Sequence, residues 1–268
     1  MHYDPIKKLL GNVFNKSILL RKIFYKLLDI LLLRTWHIKK YLRIIIPKNK
    51  TINILDAGSG YGQYSWFIAN KYPLSSIDAI DIKQEQIDDC NNFFKKTNRL
   101  NVVFQNNDLT TYKKYSFYDI ILCVDVMEHI ENDKIVFSNF FHSLKDNGYL
   151  IISTPTNLND HEHNENNKET FFVEEHVRDG YKYDEIFEKL KEAGFNNIKI
   201  NYTYGKPGHI SWLISMKIPM IVLNVSKIFF IILPFYYLLL FPICLILNYC
   251  DTIINHKHGT GLIVIAKK

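Results

Sequence analysis

The chain has 268 residues, 47% of them hydrophobic, enough for one α/β domain with appendages and a substantial core. Its net charge of +6 is uneven: residues 1–50 hold twelve Lys or Arg against Asp4 and Asp29, which leaves the remainder acidic. The four cysteines (Cys90, Cys123, Cys244, Cys250) lack metal-type pairing, so neither a zinc module nor a disulfide scaffold is expected, but reduced thiols in a cytosolic compartment.

Residues 5–46 read as helices. In Ser17–Leu33, Lys22, Lys26 and Asp29 recur at i, i+4 and i+7, and Ile18, Leu19, Ile23, Leu27, Ile30 and Leu31 cover much of the rest. Such a helix needs packing on most sides or lies in a bilayer interface with its basic stripe toward the headgroups. The cationic excess continues through Lys39, Lys40 and Arg43, which favours anionic lipid as the partner of this arm, residues 1–50. Nucleic acid is not expected, since an Ile/Leu-rich face has no counterpart on phosphate. No signal peptide is expected either: the first apolar run is studded with Lys and lacks a small-residue cleavage site.

From residue 51 strand and helix patterns alternate, as in a doubly wound sheet. Ile52–Leu55 predicts a buried strand, followed by Asp56-Ala57-Gly58-Ser59-Gly60-Tyr61-Gly62-Gln63-Tyr64. Glycines at alternate positions allow a sharp turn and close approach of the backbone to a ligand, and a helix opening near Gly62 points its free N–H groups into the same space. The dinucleotide fingerprint does not fit: its third glycine belongs at position 63, which is Gln63, and Asp56 would repel a pyrophosphate. Ser76–Asp81 reads as the second strand, 84–96 as a helix and Asn101–Gln105 as the third strand, ending at Asn107-Asp108-Leu109. Phe117–Val124 is the fourth strand and enters Asp125-Val126-Met127-Glu128-His129-Ile130. After a helix over Asn132–Leu144 and a turn at Asp146-Asn147-Gly148, Tyr149–Ser153 is the fifth. A polar stretch, 156–180, carries His161, His163 and His176. Tyr183–Ala193 reads as a helix, Phe195–Tyr204 as strand six and Gly259–Lys267 as the last strand.

These motifs resemble those of class I S-adenosylmethionine-dependent methyltransferases, over about 51–205 and 259–268. The resemblance implies a Rossmann-like sheet of seven strands, six parallel plus one antiparallel, with helices on both faces. It also implies S-adenosyl-L-methionine as cofactor. The methionine part would be held by Asp56, Gly58, Ser59 and Gly60, with Tyr61 and Tyr64 covering it. Asp81 would take the ribose, Ile82, Asp108 and Leu109 the adenine, and Asp125 would close the site. Quinone-biosynthesis O-methyltransferases are the nearest group: Asp125 and Glu128 match its acid pair, His129 the next position and His176 its distant histidine. In that group the acids and distant histidine accompany a divalent cation; no metal ligand is assigned here. Asp125, Glu128, His129 and His176 are thus the candidates to activate an acceptor, because a hydroxyl needs a general base or a metal to become nucleophilic.

Between the last two strands, residues 206–257 form an apolar insertion. Ile228–Tyr249 has no charged side chain and is long enough to cross a bilayer, which takes about 20 helical residues. Pro234 and Pro242 are expected to kink it, and Lys217 and Pro219 interrupt Ile210–Val225. If the flanking strands pair in one sheet, the chain returns to the side it left. A two-pass hairpin, a re-entrant loop, helices in one leaflet and a soluble cap over the cleft all satisfy that; a broken second segment favours the re-entrant and one-leaflet forms. Each puts apolar surface beside the site, so a lipophilic acceptor at the cytosolic membrane face is expected.

Overall fold

A computed structural model describes residues 17–157, 177–226 and 230–268. Seven strands form one sheet in the order β3-β2-β1-β4-β5-β7-β6: β1 Asn53–Ala57, β2 Ser76–Asp81, β3 Val102–Asn106, β4 Tyr118–Val124, β5 Leu144–Pro155, β6 Asn197–Thr203 and β7 Gly261–Lys267. β7 runs antiparallel between β5 and β6, and the other neighbours pair parallel. β1 and β4 are almost wholly buried because helices cover both faces, which explains their near-continuous apolar runs. Successive residues serve opposite cores: Ile54 and Ile120 join one, Leu55 and Ile121 the other. The expected turn at Asp146-Asn147-Gly148 is absorbed into β5, where Asn147 sits at φ +64 and the register with β4 shifts.

The arm is an integral layer of the domain. α1 (Ile18–Leu31), capped by Ser17, and α2 (Leu33–Ile45) pack on the face that also holds α3 (Gln63–Lys71) and α4 (Gln84–Lys96). Arg21, Phe24 and Tyr25 face inward on α1, as Ile38 and Leu42 do on α2, while Ile18, Leu19, Ile23 and Leu27 remain exposed. The apolar stripe of α1 is therefore divided between a buried face and an outer one. On the opposite side of the sheet lie α5 (Asp133–Ser143) and α6 (Tyr183–Glu192).

The insertion is a helical hairpin. α7 (Lys206–Trp212), a π turn (Leu213–Lys217) and α8 (Ile218–Val225) lead outward, and α9 (Leu233–Ile253) returns. Ser211 Oγ donates to the Cys244 carbonyl, and the hydroxyls of Tyr236 and Tyr237 donate to the carbonyls of Ile214 and Ser215, an antiparallel pairing. The expected double break in the second segment is not found. Pro234 lies in the first turn of α9, where its missing N–H has no helical partner to lose, and the helix continues through Pro242. At the hairpin's base Asp251, fully buried, accepts from His37 Nε2 (2.9 Å), Gly208 N (3.0 Å) and Tyr204 N (3.2 Å), and pairs with His256 (3.1 Å). One carboxylate thus joins arm, hairpin and sheet.

Candidate active site

The glycine loop leaves β1 at the C-terminal edge of the sheet, beside the ends of β2 and β4. Gly58 (φ +76) and Gly60 (φ +50) occupy left-handed conformations that side chains rarely adopt. A Cβ on Gly58 would lie 2.1 Å from Val126 Cγ2, so the loops after β1 and β4 touch through a missing side chain. Among the described residues, a Cβ on Gly60 would meet nothing nearer than Gln86 Oε1 at 4.0 Å. Asp81 clasps the loop: Oδ2 accepts from Gly60 N at 2.8 Å and Oδ1 from Lys83 N at 3.0 Å. Each oxygen keeps a further lone pair for a ligand hydroxyl. Next to it Ile82 is 67% exposed, an apolar surface beside the acid. The Ser59 hydroxyl is buried with no partner among the described residues, an orphaned polar atom on the glycine loop.

Asp56 braces the loop from below. It is 2% exposed, and its Oδ2 accepts from Ser65 N (3.1 Å) and Ser65 Oγ (2.6 Å), which fastens the first turn of α3 beneath the loop. Burial pushes its carboxyl up to about 6 against the pull of those Ser65 bonds. Leu109 is likewise buried in the core, and Asp108, exposed, accepts from Thr110 N and Oγ1 at 2.8 Å in a turn. Tyr61 contributes its carbonyl to Arg21 and Tyr25 and sets its ring edge-on to Phe24. Tyr64 is buried, its hydroxyl 3.4 Å from Thr35 Oγ1.

At the mouth, Asp125 sits at φ +52, its N–H donating to the Ser153 carbonyl at 2.9 Å. A non-glycine residue held there is a local strain that surrounding contacts must maintain. Asp125 is ion-paired with Arg34 of α2. Glu128, in the short 3₁₀ turn Met127–His129, is 1% exposed and accepts from Thr154 Oγ1 at 3.2 Å. Burial first, and then the Asp125 charge, push it up to about 8. It therefore holds its proton to higher pH than an ordinary carboxyl does. His129 is partly exposed on the same turn. The Glu128 carbonyl accepts from Val177 and Arg178 N–H groups, so the last part of the polar stretch is stapled to this turn. His176, His161 and His163 lie outside the described residues. Among the described residues no three His, Cys, Asp or Glu side chains gather as a metal site.

Three residues that sequence reasoning did not single out bear on the site. Arg21, 2% exposed, donates to Tyr25 Oη (2.8 Å) and the Tyr61 carbonyl (3.0 Å) and pairs with Asp89, joining α1 to the glycine loop and α4. Arg34 and Tyr204 (φ +55) meet across the mouth, where Arg34 N donates to Tyr204 Oη at 3.2 Å. Arg21 and Arg34 stand in the sequence only as part of the arm's basic excess, and nothing marks Tyr204.

The strand order with antiparallel β7, and a glycine loop clasped by an acid at the end of β2, define a Rossmann-like S-adenosylmethionine-dependent methyltransferase. Gly58, Ser59, Gly60, Asp81 and Ile82 fit this cofactor. When bound it supplies a methyl group on a positively charged sulfur, and the chain's own task is to hold the donor and acceptor in line and exclude water.

Comparison with known proteins gives the same class, and the chain belongs to the methyltransferase-domain family, whose profile matches residues 22–200. The match takes in most of the arm, beyond the stretch in which motifs are legible. Malonyl-[acyl-carrier protein] O-methyltransferase 2 of Ilyobacter polytropus is 31% identical over 119 residues, covering 44% of this chain and 45% of the relative. Ubiquinone biosynthesis O-methyltransferase of Rickettsia canadensis is 30% identical over 103 residues, 38% of this chain and 42% of the relative. The chain thus matches less than half the length of either. Among solved structures, phosphoethanolamine N-methyltransferase 2 of Haemonchus contortus, in complex with S-adenosyl-L-methionine, superposes with a TM-score of 0.58 at 16% identity, over 87% of this chain and 52% of that one. A methyltransferase of Thermotoga maritima gives a TM-score of 0.56 at 12% identity, over 97% and 99%.

Proposed function

We propose that this methyltransferase acts at the cytosolic face of a membrane, on an oxygen of a lipophilic or lipid-linked acceptor. The observation that carries the reading is α9: 21 residues long, apolar, and with only 11% of its most apolar window buried. Phe235, Leu238, Leu239 and Ile246 stand exposed along it, and Phe230, Ile231 and Ile232 at the hairpin's outer end. Apolar surface on this scale is stable against lipid and costly against water. Its base is rooted through Asp251 to Tyr204 and to α2, the helix that sends Arg34 to Asp125. A bilayer holding the hairpin would therefore present its lipids beside the mouth. The exposed face of α1, with Lys22 and Lys26, adds apolar and cationic surface suited to anionic lipid. Transfer to oxygen is supported by two relatives named as O-methyltransferases and by Glu128 as a proton acceptor that an oxygen nucleophile needs.

Vesicle flotation of the full chain tests the membrane half. The chain is expected to float with phosphatidylcholine vesicles, more completely when phosphatidylserine is added. A Leu238→Asp, Leu239→Asp variant, costing roughly 3 kcal/mol per charge placed in hydrocarbon, is expected to stay in the dense fraction with cofactor affinity unchanged. A wild-type chain that remains in the dense fraction without detergent would point to the hairpin as a soluble cap.

A further inference from the structure

The cation at the mouth comes from outside the sheet. Arg34 opens α2, and its guanidinium pairs with Asp125 while both side chains retain 28% of their surface. Arg21, by contrast, is enclosed by Tyr25, Asp89, Cys90 and the Tyr61 carbonyl and serves packing. Arg34 is near enough to Glu128 and Tyr64 to act on both electrostatically, and its N–H meets Tyr204. It thus stands between the strained Asp125 and the foot of the hairpin.

We propose that Arg34 binds an anionic oxygen group of the methyl acceptor, a carboxylate or a phosphate, which takes the place of Asp125 on the guanidinium. The inference rests on the acceptor class proposed above only for the lipophilic part of the ligand. Three points support it. A guanidinium presents planar paired donors that match carboxylate and phosphate, which a lysine does not. Arg34 and Asp125 form an ion pair at the mouth, and the donor adds a positive sulfur. An anionic acceptor balances the charge of the sulfur, whereas a cationic one would add to it. Exchange also releases the Asp125 carboxylate at the entrance, where it can accept a hydrogen bond from the acceptor's hydroxyl.

Calorimetric titration of the full chain, saturated with S-adenosylhomocysteine, tests this with four amphiphiles below their micellar concentrations: dodecyl phosphate, dodecanoate, dodecyl maltoside and dodecyltrimethylammonium. At least one anion is expected to bind more tightly than the neutral and cationic probes, and which one identifies the group as phosphate or carboxylate. Arg34→Ala is expected to lose on the order of 10- to 100-fold of that advantage, with S-adenosylhomocysteine affinity held. Arg34→Lys, which keeps charge without the fork, reports the same loss in smaller measure should the alanine variant fail to fold. Equal binding of all four probes, or an anion preference unchanged by either substitution, overturns the inference and leaves the lipophilic reading standing. If methyl phosphate or propionate, titrated in the same way, binds while none of the amphiphiles does, the lipophilic reading falls; loss of that binding in Arg34→Ala supports the inference and its persistence overturns it.

Discussion

Glu128→Gln probes the group at the mouth whose ionisation is most strongly altered by burial. The side chain is 1% exposed, and burial together with Asp125 takes it from the ordinary value of 4.5 to about 8. A carboxyl whose folded value lies above its unfolded one contributes its stability in full below about 4.5 and loses it as pH rises toward about 8, because only the unfolded chain ionises freely in that window. At 1.36 kcal/mol per decade the interval corresponds to at most about 4–5 kcal/mol, and relaxation around the charge leaves on the order of 2–5 kcal/mol. Glutamine keeps the shape and can still accept from Thr154 Oγ1 but cannot ionise. Urea unfolding of both proteins from pH 5 to pH 9 is therefore expected to give similar stabilities at pH 5 and a variant progressively more stable than wild type up to pH 8. Asp56, raised to about 6, tilts both curves alike and cancels in the difference. A difference that does not change with pH would refute the burial argument. As a proton acceptor Glu128 works only when ionised, so kcat is expected to rise with pH through about 8, and glutamine to lower it by about 100-fold or more.

Gly58→Ala places a methyl 2.1 Å from Val126 Cγ2 at φ +76; a loss of about 1–3 kcal/mol in thermal unfolding and at least a tenfold weaker S-adenosylhomocysteine affinity are expected. Adding Val126→Ala relieves the clash but not the conformational strain, so recovery should be partial. Asp251→Ala leaves His37, Gly208 N and Tyr204 N without their acceptor and is expected to cost about 3–5 kcal/mol in urea unfolding. Because the same carboxylate roots the hairpin, proteolysis within 206–257 should quicken in that variant.

The sheet and the cofactor loop were legible because their signals are local. Parallel strands buried on both faces read as short apolar runs, and left-handed turns demand glycine at set positions such as Gly58 and Gly60. Asp81 was legible for the same reason, closing β2 opposite the loop it clasps. What periodicity does not reveal is which surface covers a face. Ile18, Leu19, Ile23, Leu27 and Ile30 of α1 do lie exposed, but periodicity gives no sign that Phe24 and Tyr25 on its other side pack on the domain or that Arg21 holds the Tyr61 carbonyl. Arg34 was counted as surface charge because its partner, Asp125, is 91 residues distant and brought near only by the fold. Asp56 has the residue type of a ligand contact, and nothing local shows that Ser65, nine positions on, also bonds its Oδ2. Pro242 signals a break that α9 does not make, since packing against α7 and the π turn holds the helix across it.

Incubation of the full chain with methyl-labelled S-adenosylmethionine and a total lipid extract of host membranes, followed by phase partition and chromatography, tests the combined claim of donor site and greasy acceptor. Label is expected in the organic phase, in a product absent when Asp81→Ala replaces the wild type. Label confined to water-soluble products would contradict it.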